Sequence, residues 1–190
     1  MKRITAFLTL FLVMALASCK SDKNVGENPF FAEWNTPYGV PPFDRITPAH
    51  FLPALERGMS LHDAEIDAIT SNNDAPTFEN VILAYDDSGQ MLAQTELIFG
   101  MLCAAENTAE MQALQEQVMP MLAAHADKIL LNEKLFERVK AVYDRRAALE
   151  LDADQSRLLE KTYRGFVRAG ALLDAEQKAR LKAINGELSL

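Results

Sequence analysis

The sequence is short of the residues on which compact chemistries depend. It holds two cysteines and three histidines, and no Cys-x-x-Cys pair. One cysteine closes the N-terminal apolar run, which leaves Cys103 alone and gives no disulfide framework. Gly-x-Gly-x-x-Gly, the Walker-type loop and Gly-x-Ser-x-Gly are all absent, which excludes the phosphate-cradling turns and the nucleophile elbow. Positive charge is also scarce: 19 Lys and Arg stand against 27 Asp and Glu, for a formal charge of −8. Such an acidic chain is a poor partner for nucleic acid, and it offers no polybasic contact to a membrane surface. No segment alternates apolar and polar residues long enough to read as a strand.

What is present begins with "MKRITAFLTLFLVMALASCK". Lys2 and Arg3 precede an apolar run from Ile4 to Ala17, broken only by Thr5 and Thr9. The run is short for a bilayer span and ends in small residues, so it reads as an export signal over residues 1–18. Leu16-Ala17-Ser18-Cys19 resembles a bacterial lipobox, in which the cysteine becomes the lipidated first residue. The expectation is an exported, membrane-anchored lipoprotein on the periplasmic or cell-surface side, attached through Cys19. An ordinary signal peptide with a chance cysteine is the alternative. Losing residues 1–18 would remove Lys2 and Arg3 and no acid, taking the formal charge from −8 to −10.

The mature chain divides in two. Residues 19–46 form a polar tether, "KSDKNVGEN", and then an arm carrying Phe30, Phe31, Trp34, Tyr38 and Phe43. Six of the eight prolines lie between Pro29 and Pro53, and they favour a stiff, extended arm whose aromatics dock on the body. Residues 47–190 read as helices. Thr47-Pro48 is a cap followed by proline at the first helical position, and "SNND" stops that helix. Pro76-Thr77 opens another, in which Phe78, Tyr85, Leu92 and Phe99 recur every seven residues as a packing seam. Asn107 with Glu110 suggests the next start, and Pro120 is expected to kink the helix that follows. "DADQ" at 152–155 and "DAEQ" at 174–177 are capping boxes, and Leu158, Leu159, Tyr163, Phe166 and Val167 make one stripe. The fold class is all-α, an antiparallel helical lobe behind an aromatic arm. The final helix opens with a cap and reaches Leu190 without a closing Gly or Pro, as an interrupted element would.

Candidate chemistry is thin. His50, His62 and His125 do not form His-Glu-x-x-His, the spacing that sets two zinc ligands one turn apart. His62 and Glu65 are only half of such a site, and His62 and His125 both fall on apolar stripes. Packing or hydrogen bonding is the simpler reading for each, and a capping role for His50. Cys103, in "IFGMLC", reads as a structural thiol. Asp86-Asp87 and Asp152/Asp154 sit at helix ends, where solvation or capping explains them. The residues by themselves describe a lipid-anchored helical domain with no catalytic constellation.

Several segments nevertheless resemble one family in order and spacing. "NPFF…TPYGVPPFDRITPAHFLPALERGM", "PTFENVILAYDDSGQML", "LNEKLFERVKAVYDRR" and "LLEKTYRGFVRAGALL" look like the N-terminal part of the thimet oligopeptidase family, above all its bacterial dipeptidyl carboxypeptidases. The resemblance runs from about Asn28 to Leu190. It implies a larger two-lobed helical enzyme with a channel between the lobes, acting on short peptides. It also implies a His-Glu-x-x-His zinc site downstream of the part present here. No zinc ligand or general base of the family maps onto this chain, so the segment alone is expected to be inactive and to bind no catalytic zinc. An internally cutting oligopeptidase of the same family is one alternative. A free-standing helical lipoprotein that binds peptides or a partner is another.

Overall fold

A computed structural model of the chain describes residues 28–189. The segment read as an export signal, Cys19 and the tether as far as Glu27 lie outside the described residues, as does Leu190. Among the described residues there is no strand, and the chain is all-α. The helices are α1 (Phe51–Ser71), α2 (Ala84–Asp86), α3 (Gln90–Ala105), α4 (Ala109–Leu130), α5 (Glu133–Asp144), α6 (Ala153–Arg168) and α7 (Ala175–Leu188). No helix among the described residues is long and apolar enough to cross a membrane.

The caps follow local chemistry. Asp152 Oδ1 accepts from the Gln155 N–H at 2.8 Å while Gln155 Oε1 accepts from the Asp152 N–H at 3.1 Å, and Asp174 with Gln177 repeats the arrangement. Each pair satisfies two backbone donors that a helix start leaves free. Thr47 precedes a single 3₁₀ turn, Pro48–His50, that runs into α1, and the Thr47 N–H donates to His50 Nδ1 at 3.1 Å. His50 is therefore a capping residue. The start of α4 lies one residue beyond the expected Asn107: Thr108 Oγ1 accepts from the Met111 N–H at 3.2 Å. α4 then continues through Pro120 to Leu130.

The arm mixes extended residues with short turns. Ala32, Thr36 and Val40 are extended, and three-residue turns occupy Pro29–Phe31 and Pro37–Gly39. Proline opens each turn, because its fixed φ suits the first position of a helical turn as well as extended chain. The aromatics meet two fates. Phe30 is buried on Phe51, ring centroids 5.3 Å apart, and Trp34 packs beside it with its indole N–H donating to the Pro29 carbonyl at 2.8 Å. Phe31 lies under the Arg57 guanidinium. Tyr38, at φ 59°, is fully exposed and Phe43 is 41% exposed, so neither docks as expected.

Two apolar cores result. The arm core joins Phe30, Phe51, Leu55, Leu92, Phe99 and Val118. The far core joins Ile66, Phe78, Ile82, Leu135, Val139 and Phe166, with Tyr85 and Tyr163 against it. α1 contributes to both, and so does α4 through Met111 and Val118 on one side and Ile129 on the other. The seven-residue seam is divided between them. Phe78 and Tyr85 enter the far core while Leu92 and Phe99 enter the arm core, because the expected single helix breaks at Ser88-Gly89. Gly89 sits at φ 71°, a conformation glycine adopts without steric cost. Ahead of the break, Phe78–Leu83 form a π-helical turn capped by Thr77 and Asn80.

Candidate functional site

The break at Gly89 places the end of α2 and the start of α3 against the middle of α1 and the later part of α4. Two of the chain's three histidines meet here, with Asp63, Glu65 and Glu96 close by. His62 of α1 and His125 of α4, separated by 63 positions, bring Nδ1 and Nε2 to 3.0 Å. The rings are 5.1 Å apart between centroids, and the excess over the nitrogen separation is about two ring radii. The nitrogens therefore face each other along one line, as in an N–H···N hydrogen bond. Ligands of a shared metal ion would instead aim their lone pairs at a point beside that line.

The surrounding charges are asymmetric. Asp63 Oδ1 lies 3.8 Å from His125 Nδ1, is buried, and has no hydrogen-bond partner, while its Oδ2 meets Lys128 Nζ at 2.8 Å. Glu65 Oε2 accepts from the Gly89 N–H at 2.7 Å, tying α1 to the break. A cavity of 250 Å³ opens beside the pair, bounded by Tyr85, Ser88, Leu92, Glu96, Leu122 and Ile129. Burial holds the His62 imidazole below its usual pKa against the opposing pull of Glu65 and Asp63. The same cause lowers His125, with Asp63 opposing and His62 and Lys128 adding to the depression. Burial raises the Glu96 carboxyl. Burial thus favours the neutral form of both rings, and the cavity combines two hydrogen-bonding imidazoles, a carboxyl with raised pKa and an apolar wall.

A second concavity, an open groove of 850 Å³, runs between the arm and α3 along Phe31, Trp34, Met91, Gln94 and Leu97. Glu33 is its one ionisable lining residue, so it offers shape and apolar contact but no acid–base pair. Cys103 is half-buried against the arm core and burial pushes its thiol pKa up, which fits a structural residue and not an activated thiolate.

Sequence reasoning placed His62 and His125 each in a packed, hydrogen-bonded setting, and the structure agrees. That they partner each other was not visible across 63 positions. The Ser88-Gly89 dipeptide was the signal for the break that frames them. Among the described residues, no group of three or more His, Cys, Asp or Glu is placed to hold a metal.

No protein-family model matches the chain. Curated relatives do. It is 43% identical to a dipeptidyl carboxypeptidase of Escherichia coli over 160 residues, covering 84% of this chain and 24% of that protein. It is 41% identical to the dipeptidyl carboxypeptidase of Salmonella typhimurium over the same shares. Oligopeptidase A of Escherichia coli is 23% identical over 154 residues, covering 81% of this chain and 23% of that protein. These matches, together with the all-helical fold, assign the chain to the thimet oligopeptidase family as an N-terminal part. Within that family its stronger identity is to the dipeptidyl carboxypeptidases. The chain spans about a quarter of the length of the curated relatives it matches.

Proposed function

We propose that this chain is the N-terminal helical segment of a zinc-dependent dipeptidyl carboxypeptidase, an enzyme that removes dipeptides from the carboxyl ends of short peptides. The observation that carries the reading is 43% identity over 84% of the chain to a protein of that name. In this reading the arm and the helices around both cores form a wall of the substrate channel. The zinc ligands and general base belong to sequence beyond the segment, which by itself hydrolyses nothing. The protein is exported and held to a membrane by lipid on Cys19.

The decisive test begins at the gene. An open frame running past the codon for Leu190 to a His-Glu-x-x-His motif is the expected result, and a stop at that point would overturn the reading. The product of that frame should release dipeptides from an N-acetylated tetrapeptide with a free carboxyl end and leave the C-terminally amidated peptide intact. Equal cleavage of both would favour the internally cutting oligopeptidase, in line with the relatives at 22–23% identity. Hydrolysis by the 190-residue chain alone would refute the assignment of chemistry to a later region. For the anchor, an alkyne fatty acid should label the wild-type protein in cells and fail to label Cys19→Ala.

A further inference from the structure

The His62–His125 contact joins α1 to α4 where the two cores meet, and its geometry limits the protons it can carry. A hydrogen bond between two imidazoles needs one nitrogen with a hydrogen and one without. Asp63 Oδ1, buried and unpartnered beside His125 Nδ1, selects the arrangement. With its hydrogen on Nδ1, turned toward that carboxylate, His125 presents a bare Nε2 that accepts from His62 Nδ1–H. A first added proton goes to His62 Nε2, the nitrogen free of this contact, and leaves the bond intact with His62 as a charged donor. A second must go to His125 Nε2, which would set N–H against N–H at 3.0 Å between two cations.

We propose that the pair is an acid-operated latch between α1 and α4, closed when it carries no added proton or one, and opened by the second. Opening parts the later half of α4 from the middle of α1 and widens the cavity at the Gly89 break. The groups facing the pair oppose one another. Asp63 and Glu65 on α1 favour protonation and Lys128 on α4 disfavours it. Tyr85 at the end of α2 and Glu96 on α3 line the same cavity. Burial raises the Glu96 carboxyl, so it takes up a proton more readily than an exposed carboxylate. Both rings bind protons more weakly in the folded chain than in the unfolded one, whose histidines titrate near 6.5. Stability from the pair is therefore complete above about pH 6.5 and is lost as pH falls through the lower folded-state values.

The test is an NMR titration of the 190-residue chain from pH 8 to 4.5, following both imidazoles and amide exchange in α1, α4 and the break. The two rings should titrate in separate steps at least about tenfold apart in proton affinity, as a coupled pair does. Amide protection around His62, Gly89 and His125 should hold through the first step and fall tenfold or more across the second. Independent titration of both rings near 6.5, or protection that does not follow the second step, would overturn the proposal. His62→Gln and His125→Gln, read separately, should each abolish the second-step loss. If either variant keeps it, the acid response belongs to Asp63, Glu65 or Glu96 and not to the pair. The wild-type titration decides the matter even if a variant fails to fold, and none of these outcomes depends on peptidase activity.

Discussion

The two cores are built to different standards of closure. The far core is assembled from helices with one apolar stripe each. α5 and α6 bury Leu135, Val139, Leu159 and Phe166 and turn Lys140, Asp144, Glu160 and Arg164 to solvent, where they form two i,i+4 bridges, Lys140 with Asp144 and Glu160 with Arg164. The arm core depends on α3, which is apolar on nearly every side. It buries Leu92, Ile98 and Phe99, yet leaves Leu97 65% and Met101 51% exposed one turn apart. An ordinary surface helix keeps its outer face polar. The difference teaches that a segment can be closed at one end and keep an apolar face at the other. A chain that spans about a quarter of its relatives' length is a setting in which such a face could be covered.

The comparison is most severely broken by removing one large ring from each core. Phe51→Ala empties the space between Phe30 and Phe99, and Phe166→Ala that between Tyr85 and Phe136; each should cost about 3–5 kcal/mol. Because α1 and α4 enter both cores, Trp34 fluorescence from the arm core and far-ultraviolet circular dichroism should give coincident denaturant transitions in both variants. Separate midpoints would show that the cores unfold independently.

Two glycines sharpen the contrast at smaller cost. A Cβ on Gly58 would stand 2.9 Å from the Leu92 Cα, so α1 and α3 must move apart and Gly58→Ala should lose roughly 1–3 kcal/mol. Gly165, in the last turn of α6, has open space around it, and Gly165→Ala should gain up to about 1 kcal/mol by chain entropy and helix propensity. Urea midpoints moving in opposite directions are the expected reading. The least effect belongs to the arm's outer loop: Phe43→Ala should change stability by less than about 1 kcal/mol, since that ring is already 41% exposed.

Much of the far core could be read directly. Asp152 and Asp174 are caps whose partners lie three residues away, and the α6 stripe needs only a period of 3.6. The arm core was harder for a physical reason. Phe78, Tyr85, Leu92 and Phe99 keep a seven-residue spacing that one straight helix would satisfy, and only tertiary packing decides that the first two face a different core from the last two. The spacing outweighed Ser88-Gly89, although Gly89 also leaves room for His62, whose ring a Cβ there would meet at 3.1 Å. Which arm aromatics dock was equally hidden. Phe30 and Phe43 have similar proline-rich surroundings, and only Phe30 finds Phe51 beneath it.

The Asn28 side chain closes the arm into a ring: its Nδ2 donates to the His50 carbonyl at 2.9 Å while its Oδ1 accepts from the Phe30 N–H at 3.1 Å. In mechanical terms, a pull on the N-terminal side of the domain travels through this clasp and the Phe30 plug directly into the head of α1. The exposed stretch from Pro37 to Val40, with Tyr38 at its tip, lies outside that path. Tension would reach the arm core while the exposed loop carried none of it, so a domain held by its N-terminal end could be tugged without straightening that loop until the clasp gave way.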